Sequence, residues 1–102
     1  MKTAIQTSLC IYERCVALID DMLLNYKLYQ ENELDEPEGF QDVFSLEILM
    51  TRDEKNEQVF LKDISRDKKI ALEIAEIFAD GDVDPCSAFY IIEELLLDPR
   101  FI

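Results

Sequence analysis

The chain contains no histidine. That removes the commonest general base, the commonest metal ligand and the usual charge switch near neutral pH. Any catalysis would fall to carboxylates, lysines or thiols held in perturbed surroundings. Glycine occurs twice and proline three times. A glycine-rich phosphate loop is therefore excluded, and connections between elements should be few and short. No apolar run approaches the ~18–20 residues of a membrane span. Residues 1–9 include Gln6, Thr7 and Ser8, and Glu13 and Arg14 follow; this breaks the apolar core of a leader peptide. The expectation is a cytoplasmic protein. Cysteine occurs three times, as Cys10, Cys15 and Cys86. An odd number without a leader reads as free thiols, most simply small hydrophobes of the core. On a helix, Cys10 and Cys15 would point about 140° apart, too far to share a metal or a bridge.

What the chain has in excess is negative charge. Of 102 residues, 23 are Asp or Glu and 10 are Lys or Arg, for a net charge of −13. The surplus lies mainly in two segments. Residues 31–42 carry Glu31, Glu33, Asp35, Glu36, Glu38 and Asp42 without one base. Residues 80–102 carry Asp80, Asp82, Asp84, Glu93, Glu94 and Asp98 against Arg100 alone. Direct binding to a nucleic-acid backbone needs the opposite sign. Three uses of such charge remain: solvated loops and helix ends, a surface for a basic partner, or mimicry of nucleic-acid charge.

The length fits one domain, residues 1–102, and a hydrophobic content of 49% suffices for a core. An N-terminal helix is expected over residues 1–24. Within it Ile5, Leu9, Tyr12, Val16, Ile19 and Leu23 recur at spacings of three and four, the signature of an apolar helical stripe. Strands are expected over residues 25–64. Leu24, Tyr26 and Leu28 alternate, as do Phe44, Leu46, Ile48 and Met50; that period of two marks one face on a core. Residues 32–41, with Pro37 and Gly39, read as an acidic loop. A polar turn over residues 52–57 leads to a return strand at Val59, Phe60, Leu61 and Ile64. Residues 66–80 read as a helix, with Ser65 as N-cap and Gly81 as left-handed C′ residue. A last helix over residues 85–97 follows Asp84 as cap and Pro85 at its first position. Its buried face should be Ala88, Phe89, Ile91, Ile92, Leu95 and Leu96. The expected class is α+β: an N-terminal helix, a small three-stranded antiparallel sheet, and two C-terminal helices packed on it.

No constellation carries chemistry. Asp80, Asp82 and Asp84 have the alternate spacing of a calcium loop. The sixth and twelfth positions, which need Gly and Glu, hold Pro85 and Ile91. Glu93 and Glu94 are neighbours, about 100° apart on a helix, and do not form a working carboxylate pair. No catalytic residue, metal site or cofactor is expected.

Tyr26-Lys27-Leu28 opens a strand, and Asp63-Ile64-Ser65-Arg66-Asp67-Lys68 forms a strand-to-helix junction. Ile77-Phe78 ends the first helix, Pro85 follows, and Ile91-Ile92-Glu93-Glu94-Leu95-Leu96 closes the chain. On these residues the stretch from about residue 26 to 96 resembles a bacterial family of uncharacterised proteins, domain of unknown function 6514. The resemblance implies the order strand, strand, strand, helix, helix, and treats the N-terminal helix as an addition. It brings no activity. Where that family carries a His and an Asp after this proline, the chain has Ser87 and Tyr90.

The expected function is that of a non-enzymatic, acidic protein-binding or regulatory module. The alternatives are an enzyme or small-molecule binder of unrecognised type and a nucleic-acid charge mimic. Two surfaces are candidates for a protein partner or for self-association. One is a helical dimer seam of Ile5, Leu9, Tyr12, Val16 and Ile19. The other is the acidic loop with Glu33, Asp35, Glu36 and Glu38. No membrane contact is expected.

Overall fold

In a computed structural model that describes residues 5–35 and 39–101, the N-terminal segment is a strand, and the sheet has four strands. They are β1 (Ile5–Ala17), β2 (Met22–Asp35), β3 (Gly39–Arg52) and β4 (Lys55–Ser65). Each pairs antiparallel with the next, in the order β1-β2-β3-β4. The helices α1 (Lys68–Asp80) and α2 (Ala88–Leu96) follow, and a short 3₁₀ turn, Pro99–Phe101, closes the described chain. The expected N-terminal helix and three-stranded sheet are thus both corrected.

The reason lies in β1. Its Ile5, Thr7, Ile11, Tyr12 and Val16 are β-branched or aromatic residues, which favour a pleated surface over a helix. Its pairing with β2 shifts between Cys10 and Tyr12, so one extra residue enters the strand. That bulge breaks the period of two and leaves a spacing that imitates a helix. Beyond the bulge Tyr12, Arg14 and Val16 stand opposite Leu28, Tyr26 and Leu24. Asp20 and Asp21 make the hairpin turn to β2, both with positive φ (63° and 58°). Such primed turns match the twist of paired strands.

The acidic loop is largely strand as well. β2 runs to Asp35 and β3 starts at Gly39, with Asp35 opposite Gly39. Asn32 donates to Asp42 across the pair at 3.1 Å. The turn at Asp53-Glu54 is tighter than expected, with Arg52 paired to Lys55.

The core lies on one face of the sheet. Leu24, Tyr26 and Leu28 of β2, Phe44, Leu46 and Ile48 of β3, and Leu61 and Ile64 of β4 are buried there against Ala71, Ile74, Ala75 and Phe78 of α1. Alternation places these side chains under the helices, each worth roughly 1.5–3 kcal/mol for the larger ones. α1 begins beside β4 and reaches β1, where Arg14 donates to Asp80 at 2.8 Å and to Glu76 at 3.2 Å. α2 returns to pack on β4. The buried Tyr26 hydroxyl donates to the Val83 carbonyl at 2.7 Å, tying the central strand to the loop between the helices.

The caps differ from expectation. Asp67, not Ser65, caps α1: its Oδ1 accepts from Lys69 N at 2.9 Å and Ile70 N at 3.1 Å. Gly81 has φ −92°, and the left-handed residue is Asp82 at φ 51°. Asp84 caps a turn through Ser87 N at 2.9 Å, and α2 starts only at Ala88. Every non-glycine residue of positive φ among those described is an aspartate: Asp20, Asp21, Asp53, Asp63 and Asp82. With two glycines in the chain, aspartate takes over the left-handed backbone, which it tolerates better than most residues.

Candidate interaction surface

The segment expected to carry a helical dimer seam is the strand β1. Tyr12 and Val16 pack against the core, Leu9 is exposed, and Ile19 projects from the β1–β2 turn. Ile5 opens β1. Leu9, Tyr12, Val16 and Ile19 thus share no exposed face. Glu33 lies 3.6 Å from Lys62 of β4, Asp35 ends β2, and Glu36 and Glu38 lie outside the described residues.

Other acids serve the fold. Glu76 and Asp80 hold Arg14, Glu13 accepts from Asn25 at 3.1 Å, and Asp98 pairs with Arg100 at 3.2 Å. The Arg100 backbone N–H and guanidinium hold the Asp98 carboxyl below its ordinary range. On the sheet face away from the helices, Glu31 is buried. It accepts from Ser45 Oγ at 2.9 Å, and that oxygen accepts from Asp63 N at 3.0 Å. The register between β3 and β4 slips here, from Leu46–Leu61 to Phe44–Ser65. Ser45 thus fastens the bulged end of β4 to the sheet, with Glu31 as its acceptor.

Cys10, Cys15 and Cys86 are free and exposed rather than part of the core. Among the described residues no cluster of His, Cys, Asp or Glu has the placement to hold a metal. Of the three aspartates at calcium-loop spacing, Asp80 is committed to Arg14 and Asp84 to its turn. A depression of about 330 Å³ at the β3–β4 turn is lined by Met50, Arg52, Asp53, Lys55 and Glu57. One hairpin supplies all of it. Among the described residues no helix is long and apolar enough to cross a membrane.

The surface that stands out is the outer side of α2. Ala88 and Ile92 are buried, with Ile91 and Leu95 packed beside them. Phe89, Tyr90, Leu96 and Leu97 are exposed by 57%, 78%, 40% and 78%. Together they set four large, exposed apolar side chains on one side of the helix, and concentrations of that kind on a small protein are often functional. The 100° step of a helix sets Glu93 between Phe89 and Leu97, and Glu94 beside Tyr90. Both glutamates are exposed.

Sequence reasoning assigned Phe89 and Leu96 to the buried side and passed over Tyr90 and Leu97. The signal was nonetheless present. Residues 88–97 are apolar almost all round the helix, more than one contact with a sheet can cover.

The sequence profile of a family of unknown function, DUF6514, matches residues 6–98. The chain belongs to this family. The match takes in nearly all of β1 and both helices, so the N-terminal segment is part of the family's domain rather than an addition to it. No curated protein and no solved structure matches the chain.

Proposed function

We propose that this protein is a non-enzymatic module that binds another protein, and that the outer face of α2 is its contact surface. The observation that carries this reading is the exposure of Phe89, Tyr90, Leu96 and Leu97 on one short helix. Such side chains cost nothing structurally if left polar. Their concentration on the side turned from the sheet fits the central cluster of an interface. Among the described residues the other exposed large apolar side chains, Leu9, Ile19, Leu23, Phe40 and Phe60, are spread over four strands and a turn. The two edge strands, β1 and β4, each carry a register irregularity, and bulged edges discourage pairing with a further strand.

The dispersal of the acids supports this reading over charge mimicry. A mimic needs rows of free carboxylates on one surface. Here Glu31 is buried, Glu33, Glu76 and Asp80 lie beside cations, and Asp67 caps a helix.

A photoreactive phenylalanine analogue in place of Tyr90 tests the reading in the native host. A discrete adduct of protein mass is expected on irradiation. The same analogue at Lys55, on the β3–β4 turn, should give none. A folded Tyr90 variant that yields no adduct, or the same adducts from both positions, would overturn the assignment.

A further inference from the structure

We infer that the occupant of the α2 face is a basic amphipathic segment, whose apolar side chains rest on Phe89, Tyr90, Leu96 and Leu97 while its lysines or arginines meet Glu93 and Glu94. This rests on the protein-binding reading and names the partner's chemistry.

The argument is one of charge on an apolar ground. Glu93 and Glu94 are interleaved with the four exposed apolar residues, so a docked partner must face them at close range. The only base in residues 80–102 is Arg100. Its guanidinium is occupied by Asp98, with contacts of 3.2–3.3 Å, and it stacks over Phe101 at 5.0 Å from the ring centroid. Within residues 80–101 no cation is thus left unpaired to repel a basic partner.

The same charge argues against other occupants. A second copy would set Glu93 and Glu94 against identical acids, on two chains of −13 each, and like charges in contact are strongly disfavoured. Nucleic acid and anionic lipid meet the same repulsion. A segment that alternates Leu with Lys or Arg satisfies both halves of the surface. Helix laid along helix is a recurrent way to meet such a pattern.

The probe is a labelled synthetic Leu/Lys amphipathic peptide of about five helical turns, titrated with the full chain by fluorescence anisotropy at low and moderate salt. Three variants are compared. Tyr90→Ser/Leu97→Ser removes the two most exposed apolar side chains. Glu93→Gln/Glu94→Gln removes the interleaved charge. Asp53→Asn/Glu57→Gln removes the same charge at the β3–β4 turn, with Asn keeping the left-handed backbone at Asp53.

The first two should each weaken binding at least tenfold, and the second should also flatten the salt dependence. The third should stay within about twofold of wild type. Equal losses from the two charge variants, or unchanged binding by Tyr90→Ser/Leu97→Ser, would reduce the interaction to diffuse attraction and overturn the proposal. Concentration-dependent dimerisation abolished by Tyr90→Ser/Leu97→Ser would overturn it in favour of a second copy. Absence of peptide binding alongside a Tyr90 cross-linked adduct would refute the basic partner and leave the binding module standing. Absence of both would end both.

Discussion

Replacing Tyr26 by Phe removes one oxygen from the centre of the molecule. The ring is fully buried, and its hydroxyl donates to the Val83 carbonyl at 2.7 Å. Phenylalanine fills nearly the same space, so no large cavity opens. What is lost is the partner of a carbonyl in the inter-helix loop. An acceptor left unsatisfied in the interior costs about 1–3 kcal/mol. For a domain of this size that lowers Tm by roughly 5–15 °C. Urea unfolding is the direct assay, with a lower midpoint and an unchanged slope.

The same hydroxyl sets an alkaline signature. Burial, and then the nearby carboxylates of Asp82 and Asp84, raise the Tyr26 phenol far above its ordinary value of 10.0. A raised folded pKa means that the neutral form stabilises the fold below the unfolded value, and that this stability is lost as pH rises towards the folded one. Each pH unit above about 10 therefore removes up to ~1.4 kcal/mol. Tyr26→Phe should give a shallower decline than wild type. Some slope remains, because burial also raises Tyr12 and Tyr29. A variant as stable as wild type at neutral pH, with a parallel alkaline curve, would show that the Val83 carbonyl does not depend on this donor.

Ser45→Ala deprives the buried Glu31 of its donor and Asp63 N–H of its acceptor, and urea titration should show a loss of about 2 kcal/mol. Adding Glu31→Gln should recover part of that loss in a double-mutant cycle, and strict additivity would deny the contact. Val16→Glu should destabilise by roughly 2 kcal/mol or more, because Val16 packs on the core. Leu9→Glu, at an exposed position, should stay within about 0.5 kcal/mol; equal losses in thermal melts would contradict the placement of β1. At a net charge of −13, the urea midpoint should rise with NaCl up to about 0.15 M. A flat response would mean that the ion pairs and turns have already absorbed the repulsion.

Much of the fold from Leu24 onward was legible because its signals are local. The alternations of Leu24-Tyr26-Leu28 and Phe44-Leu46-Ile48 each carry their own period. β1 failed for the complementary reason. A bulge interrupts its alternation, and its pairing depends on β2, which no local window contains. Asp20-Asp21 fell within the expected helix, although two aspartates between apolar runs also suit a hairpin turn. The candidate surface was hidden differently. α2 displays more apolar residues than one contact needs, and only its packing on β4 decides which of them remain outside. Capping was displaced by one to three residues, since several residues at each helix start are capable and the choice falls to the path of the chain.

Aspartate at the left-handed positions separates geometry from charge. Asparagine adopts the same backbone at least as readily. Asp20, Asp21, Asp53, Asp63 and Asp82 could therefore each become amide while every turn keeps its path. The acidity of those corners is not imposed by the trace they follow. A neutralised twin of the protein, alike in backbone and lighter by five charges, is available within the same fold, and comparing its behaviour with that of the natural chain would isolate what the surplus acid contributes.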